Sequence, residues 1–170
     1  RTVARLILGA KLGPVVVDPV MVATSGDVLL APDAIAAVRS LMLPLATLIT
    51  PNLPEAAKLL DQPIAATDAE AERQAQDLLN FGCRAVLLKG GHGEGADSVD
   101  VLVSRAGTIR LAKPRIVTPN THGTGCTLAA AVTAGLALGL TLEAAVHRAK
   151  DFVWGALQAG ADLHVGGGTG

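Results

Sequence analysis

Three short runs of apolar residues, each closed by a polar residue, constrain the fold of this chain more than any other feature. They occupy residues 15–18, 45–50 and 85–89 of the 170-residue sequence. Continuous apolar runs of this length are typical of strands that are buried on both faces of a parallel sheet. Three such strands, separated by longer segments, predict an α/β fold built as one domain across residues 1–170.

Segments with helical periodicity separate and follow these runs. The predicted helices cover residues 33–41, 53–60, 68–81, 125–140 and 142–159, and helical spacing is also present from Val3 to Ala10. Thr67 and Glu70 form the pattern of a capping box at the start of the third helix. Residues 99–104 and 108–111 predict a hairpin. Because strands and helices alternate, we expect a mainly parallel sheet.

Composition excludes several classes of function. Aromatic residues make up only 2% of the chain and the formal net charge is -1, so neither stacking platforms nor an overall field for nucleic acid or an anionic membrane is expected. The longest apolar stretches fall short of the roughly 20 residues that a membrane span needs. Cys83 and Cys126 form no CxxC pair, which favours a reduced, cytoplasmic protein over a disulfide framework or a thiol redox protein.

Polar residues follow each of the three predicted strands. They are Asp18, the segment Thr50-Pro51-Asn52, and the segment Lys89-Gly90-Gly91-His92. Ligands of open parallel sheets bind outside the carboxyl ends of the strands, so these residues predict one site. The glycine-rich residues 166–170 are not followed by a Lys or a helix, and a loop or mobile tail is predicted there instead of a phosphate-binding loop.

The segment from Asn120 to Thr127 is the most informative motif. Its sequence is Asn120-Thr121-His122-Gly123-Thr124-Gly125-Cys126-Thr127, and a long apolar helix follows. Glycines before a helix let backbone N–H groups converge, and the helix dipole adds positive potential, so the motif is a candidate anion hole. The alternative is a tight loop at a helix entry, where glycine is needed only for its backbone.

Cys126 lies in the first turn of that helix, an environment that lowers a thiol pKa. It is therefore a candidate base toward a substrate hydroxyl. The alternative is a small side chain that only packs well, and a metal role with His122 is weaker because the histidines lack the spacing of zinc ligands.

Asp18, Asn52 and Glu55 form a second candidate cluster. Mg²⁺ bound to a nucleotide keeps several waters and needs only one or two carboxylates, which Asp18 and Glu55 can provide. Glu55 can instead stabilise a helix N-terminus. Lys89 is a candidate for binding phosphate oxygens, and the alternative is a solvated lysine at a strand end.

Taken in order, four motifs resemble hydroxymethylpyrimidine/phosphomethylpyrimidine kinase, a ribokinase-like kinase of thiamine biosynthesis. They are Val17-Asp18-Pro19-Val20-Met21, Thr50-Pro51-Asn52-Leu53-Pro54-Glu55-Ala56, Leu87-Leu88-Lys89-Gly90-Gly91-His92, and the segment from Asn120 to Thr127. The resemblance runs through nearly all of the chain. Sugar kinases of the same superfamily usually have Asp where this chain has Cys126, so the cysteine makes the resemblance specific.

The resemblance implies a three-layer α/β/α sandwich with a mostly parallel central sheet, and transfer of the ATP γ-phosphate to a hydroxymethylpyrimidine and then to its monophosphate. The implied base is Cys126, and the implied anion hole is formed by backbone N–H groups of Gly123, Thr124 and Gly125. Asp18 and Glu55 are the implied ligands of Mg²⁺. Asn52, Lys89 and Thr121 are implied in binding ATP, and Val20 in packing against the pyrimidine.

Family members have an N-terminal portion, about a third of the enzyme, that this sequence lacks. We therefore expect a fold that is incomplete on its N-terminal side and lacks most of the acceptor pocket. Missing strands would leave an apolar sheet edge, which favours aggregation or oligomerisation, and a homodimer is expected. Two other hypotheses remain open: a pyridoxal kinase with a different acceptor, and a noncatalytic module that binds nucleotide.

Overall fold

The structure is a computed structural model that describes residues 1–10, 12–21, 29–90 and 95–163. The helices are α1 (Thr2–Ala10), α2 (Pro32–Ala37), α3 (Leu53–Leu60), α4 (Asp68–Leu78), α5 (Thr124–Ala137) and α6 (Leu142–Gly160). The strands are β1 (Val16–Val17), β2 (Leu48–Ile49), β3 (Ala85–Leu88), β4 (Asp97–Ser104) and β5 (Gly107–Pro114). Gly91, His92 and the glycine-rich residues 166–170, for which predictions were made above, lie outside the described residues.

The five strands form one mixed sheet in the order β1-β2-β3-β4-β5. β1, β2 and β3 run parallel to one another, as the alternation of strands and helices predicts. β4 and β5 form the predicted hairpin, which pairs antiparallel with β3 and extends the sheet on one side. The parallel part therefore holds the site-bearing strand ends, and the hairpin widens the sheet beside it.

Several predicted boundaries move because turns replace the ends of elements. The strand predicted at residues 45–50 is reduced to β2, because Leu43–Leu45 form a 3₁₀ turn closed by Ala46 N–H donating to the Leu43 carbonyl. Pro44 in that turn has no N–H to offer a sheet. The helix predicted at 33–41 begins as α2 and continues as a π-helical turn over Val38–Met42. The last predicted turn of α5 is lost, since Gly139 adopts a left-handed φ of 85°.

Two helices begin with a reciprocal capping box. In α4 the Thr67 Oγ1 accepts from Glu70 N–H at 3.2 Å and Glu70 Oε2 accepts from Thr67 N–H at 3.3 Å, which confirms the sequence pattern. In α3 the same exchange joins Asn52 and Glu55, each at 2.8 Å. Each box satisfies backbone donors that a helix start leaves unpaired.

The sheet separates two hydrophobic cores. On one face Ile49, Val86 and Leu88 pack with residues of α2, α3 and α4, including Leu59 and Leu78. On the other face, the strand residues in the core are Leu48, Leu87 and Leu102, and they pack with Val132 of α5 and Val146 of α6. Helices therefore cover both faces, and the three-layer α/β/α arrangement is confirmed.

β1 is the terminal strand of the described sheet and pairs only with β2. Its two valines are half-buried. Nearby in sequence, α1 buries Ala4 but leaves Val3, Leu6 and Leu8 more than half exposed. Within the described residues no helix combines the length and apolar character needed to cross a membrane.

Candidate active site

Three polar side chains lie on the same side of the sheet, because side chains alternate between the two faces along each strand. Val16, Leu48 and Leu87 all face the core beneath α5 and α6. Side chains two residues apart on a strand share a face, so Asp18, Thr50 and Lys89 point to that side just past the carboxyl ends of β1, β2 and β3. The sequence therefore concentrates polar groups beside α5, where apolar packing of the sheet stops.

Lys89 is the centre of this cluster. Its Nζ lies 3.0 Å from Asp18 Oδ1 and 4.0 Å from Glu55 Oε2. The Thr50 hydroxyl donates to the same Asp18 oxygen at 2.8 Å. Asp18 and Lys89 are each 15% exposed at the side chain, so the pair is reachable from solvent but largely shielded from it. The predicted acids and the predicted lysine are thus brought together.

The second carboxylate oxygen of Asp18 has no partner. Asp18 Oδ2 is buried without a hydrogen bond, although Oδ1 receives both Lys89 and Thr50. A buried acceptor left unsatisfied is costly, and a hydrated hard cation would satisfy it. Two carboxylates fit Mg²⁺ that keeps most of its waters. In the described parts of the chain, no three His, Cys, Asp or Glu side chains are grouped to hold a metal without such help.

Glu55 has a raised pKa in this cluster. Burial is the largest cause, since the residue is 4% exposed and an ionised carboxylate loses hydration there. The Asn52 N–H and the Lys89 ammonium oppose the shift by favouring the charged form, while Asp18 adds to it. Glu55 is therefore more easily ionised when a further cation joins the site.

The glycine-containing loop before α5 has the expected backbone geometry. Gly123 is the N-cap of α5 and has a left-handed φ of 77°, which favours glycine. The Thr124 N–H donates to the Thr121 carbonyl at 3.3 Å, and the Thr127 hydroxyl closes the first turn on the Gly123 carbonyl at 2.9 Å. The remaining N–H groups at the start of a helix lack an acceptor within the helix, and they give the loop its capacity for an anion.

Gly125 joins this helix start to the lysine cluster. A Cβ atom at Gly125 would lie 3.1 Å from Lys89 Nζ, so the ammonium is packed against the first turn of α5. Lys89 therefore stands between two carboxylates and a helix N-terminus. An anion held by that N-terminus would meet the ammonium as well.

The two cysteines differ sharply in environment. Cys126 is exposed in the first turn of α5, beside Gly125. Cys83 is buried, its Sγ contacts the Leu78 carbonyl at 3.5 Å, and burial raises its pKa to about 11. Only Cys126 is placed to meet a substrate.

A shallow pocket of about 190 Å³ lies between this loop and α6. Asn120, His122, Thr124 and Thr127 form its polar side, and Val153, Ala156 and Leu157 form its apolar side. Asn120 ties the two elements together, because its Nδ2 donates to the Gly160 and Leu163 carbonyls at 2.9 and 2.7 Å. Pocket and helix N-terminus therefore form one continuous surface.

The other predicted site residues have simpler environments. Val20 is 39% exposed and lies close to the cluster through its N–H, which donates to the Asp18 carbonyl at 2.9 Å. Thr121 is exposed and uses its carbonyl to accept from Thr124. Asn52 uses Oδ1 for the cap of α3.

Two residues belong to motifs singled out in the sequence, but neither was assigned a role of its own there. Thr50 is fully buried and orients Asp18, and Asn120 holds the loop to the end of α6. A signal for Thr50 existed, because it is a polar residue two positions beyond the core-facing Leu48. The hydrogen bonds of Asn120 had no signal in the sequence, since the two acceptors lie 40 and 43 residues further along the chain.

Solved structures place this fold among the ribokinase-like vitamin kinases. The pyridoxal kinase of Bacillus subtilis in complex with ADP superposes with a TM-score of 0.86 at 38% identity, covering 92% of this chain and 59% of that one. Phosphomethylpyrimidine kinase from Clostridium difficile 630 superposes with a TM-score of 0.75 at 34% identity, covering 91% of this chain and 62% of that one. The chain thus has the α/β fold of the ribokinase-like kinases.

The chain belongs to the phosphomethylpyrimidine kinase family, whose sequence model matches residues 1–170. The hydroxymethylpyrimidine/phosphomethylpyrimidine kinase of Rhizobium meliloti (strain 1021) is 50% identical over 91% of this chain and 58% of its own length. The enzyme of the same name from Escherichia coli (strain K12) is 48% identical over 99% of this chain and 63% of its own length. The chain therefore spans about three fifths of the curated relatives that it matches.

Proposed function

We propose that the protein transfers the γ-phosphate of ATP to the hydroxymethyl group of a hydroxymethylpyrimidine, and then a second phosphate to the monophosphate formed, as a step of thiamine biosynthesis. One observation carries the proposal: Lys89 Nζ is 3.0 Å from Asp18 and packs against Gly125. A phosphoryl group requires a cation site and an anion site at one point, and Lys89 links the two.

Asp18 and Glu55 would hold Mg²⁺, supported by the unpartnered Asp18 Oδ2 and by the burial of Glu55. When bound, Mg²⁺ neutralises charge on the phosphates. Lys89 would contact the transferring phosphate, and the N–H groups at the start of α5, at Gly123, Thr124 and Gly125, would receive the charge that develops on it. The fold brings these groups together at one point, which favours positioning over covalent chemistry.

Cys126 is the proposed base. Its thiolate would take the proton of the substrate hydroxyl while the hydroxyl oxygen bonds to the γ-phosphorus and the bond from that phosphorus to the ADP oxygen breaks. The exposed position of Cys126 in the first turn of α5 supports this role. No other described cysteine is available, since Cys83 is buried.

The pocket beside α6 is the proposed position of the nucleoside of ATP. Val153, Ala156 and Leu157 offer an apolar wall for a base, and Thr124 and Thr127 connect it to the helix start where phosphates would lie. Thr121 and Asn52 would complete the nucleotide site, and Val20 would pack against the pyrimidine. A homodimer located in the cytoplasm is the expected state of the protein.

The test is a coupled assay for phosphorylation of hydroxymethylpyrimidine with ATP and Mg²⁺. Cys126→Ala should lower kcat at least about a hundredfold, the usual contribution of a general base. Cys83→Ala is the matched control, because it removes the other thiol, which is buried in the hydrophobic core. Equal loss in both variants, or none in Cys126→Ala, would contradict the assignment. ATP binding without product at any pyrimidine concentration would favour the noncatalytic alternative.

A second acceptor is favoured by one observation, the TM-score of 0.86 to a pyridoxal kinase against 0.75 to a phosphomethylpyrimidine kinase. The fold that this chain shares with both kinases does not by itself determine which ring carries the hydroxymethyl group of the acceptor. The same assay with pyridoxal separates the two acceptors by their kcat/KM values. A higher kcat/KM for pyridoxal would replace the pyrimidine as the principal substrate.

A further inference from the structure

Gly90 follows the site lysine, and its backbone is held by a side chain from the neighbouring strand. The Gly90 N–H donates to Asp100 Oδ1 at 3.0 Å, whereas the Lys89 N–H donates to the Pro51 carbonyl at 2.8 Å. The two successive amides of Lys89 and Gly90 are thus fixed from opposite sides. The backbone from which the Lys89 side chain projects has little freedom to shift.

Gly90 also lies too close to β4 for any other residue. A Cβ atom there would be 1.8 Å from the Val99 carbonyl oxygen, so only glycine permits this approach. The approach is what brings the Gly90 N–H to Asp100. The close contact between Gly90 and Val99 and the hydrogen bond from Gly90 to Asp100 therefore occur together.

Asp100 is a buried acid outside the site cluster. It is 5% exposed and lies on the face of β4 that it shares with Leu102, beneath α5 and α6. Its second oxygen, Oδ2, accepts from Lys150 Nζ of α6 at 2.7 Å. Lys150 is 8% exposed and also donates to the Ser98 carbonyl at 3.0 Å. One carboxylate thereby bridges α6 and the backbone next to Lys89.

A simple ion pair between β4 and α6 would not require this arrangement. Buried charges are costly, and well-packed apolar residues often replace such a pair without loss of stability. Lys113 and Asp151 join β5 and α6 at the surface with a separation of 2.6 Å. The Asp100–Lys150 pair differs because Asp100 Oδ1 accepts a hydrogen bond from the Gly90 N–H.

We propose that Asp100, supported by Lys150, is a positioning residue that holds the Gly90 N–H and thereby fixes the Lys89 ammonium between Asp18 and the start of α5. The inference rests on the proposed function, because it concerns the phosphates that Lys89 would bind. Both residues are buried, so neither is placed to touch substrate. Their effect reaches the site through the backbone.

The test compares two double variants that both remove the buried charges. Asp100→Asn/Lys150→Met retains an oxygen that can accept from Gly90 N–H, and Asp100→Leu/Lys150→Met does not. The Kd for Mg·ATP should rise about tenfold in the leucine pair relative to the asparagine pair, the effect of one lost hydrogen bond. The Kd for adenosine, which has no phosphate for Lys89, should be the same in both.

A surface pair provides the control. Asp151→Leu/Lys113→Met removes the charges of a β5–α6 pair and should leave both Kd values as in the unaltered protein. Should the leucine pair not fold, Asp100→Ala/Lys150→Met replaces it, since it also lacks the acceptor and adds no bulk. Thermal unfolding of each variant shows which pairs can be compared.

Equal Kd values for Mg·ATP in the two double variants would overturn the positioning role and leave Asp100 as a charge partner only. Parallel weakening of ATP and adenosine would also overturn it, because general loosening does not distinguish phosphate from base. Failure of the unaltered protein to bind Mg·ATP is a different result, which contradicts the proposed function and removes the basis of this inference with it.

Discussion

Glu55 joins a structural role to a chemical one at the residue scale. Its carboxylate closes the capping box of α3 by accepting from Asn52 N–H, and it also lies 4.0 Å from Lys89 Nζ. Both roles use the ionised form, yet burial raises its pKa. The residue therefore costs stability in the state in which it would hold Mg²⁺.

We predict that Glu55→Gln changes the pH dependence of stability. A folded pKa above the ordinary value of 4.5 means that the native state binds more protons than the unfolded state. The stability that Glu55 contributes is thus present below 4.5 and is lost as pH rises through the folded pKa, by about 1.4 kcal/mol per pKa unit. Gln keeps the acceptor for Asn52 and cannot ionise.

Urea unfolding from pH 4 to 8 measures this, and the advantage of Glu55→Gln over the unaltered protein should grow with pH. Glu70→Gln is the matched control, because Glu70 closes the same kind of capping box on α4 at an exposed site. If the stability of both variants changed with pH in the same way, the cause would be the change to the capping box and not the burial of Glu55. Glu55→Gln should also raise the Mg²⁺ concentration that activity requires.

At the scale of elements, α5 and α6 approach closely through small residues. A Cβ atom at Gly135 of α5 would lie 3.0 Å from Ala145 Cβ of α6. The approach holds the apolar wall of the pocket, on α6, beside the loop that carries Gly123. Helix packing therefore sets the width of the proposed nucleotide site.

We predict that Gly135→Val destabilises the protein by about 1–3 kcal/mol, because the added methyls force the two helices apart in a packed core. Gly155→Val in α6 is the control, since a Cβ there meets nothing within 4 Å. Valine at 155 should change stability by no more than about 0.5 kcal/mol. Urea unfolding compares them, and equal losses would show that helix propensity, not the close approach, dominates.

At the scale of the whole molecule, the charge is close to balanced and apolar surface is concentrated at the first helix. The formal net charge is -1, so electrostatic repulsion between copies is weak. Val3 and Leu6 lie three residues apart on α1 and are 57% and 64% exposed. Exposed apolar side chains that are neighbours on one helix favour association with another surface.

We predict that a polypeptide of these 170 residues self-associates through α1. Val3→Lys/Leu6→Glu should shift the population toward monomer by about tenfold or more in the dissociation constant, since it removes two apolar side chains from the contact. Val117→Lys, which replaces a single side chain that is 93% exposed, should have little effect. Sedimentation velocity over a range of concentrations measures the shift, and a monomer at every concentration of the unaltered chain would contradict the prediction.

Features that depend on near neighbours were predictable from the sequence. The capping box of Thr67 and Glu70, the glycine at the start of α5 and the hairpin each involve residues close along the chain. The boundaries near Leu45 and Ala137 were not, because a turn with Pro44 delays the start of β2 and the left-handed Gly139 follows the early end of α5, although the apolar pattern covers both segments. Periodicity reports which residues are buried, and it is less informative about where hydrogen bonding stops.

By itself the sequence determined the alternation of strands and helices, the polar residues at the strand ends and the family to which these motifs belong. Only the tertiary structure decided that Lys89 meets Asp18, 71 residues away, and that Lys150 supports Asp100 across 50 residues. The physical reason is that strand register and helix packing set these distances, and both are properties of the assembled sheet and its two layers. The local sequence pattern sets the face of the sheet on which a side chain lies, and the packing of the other elements sets which residues it contacts there.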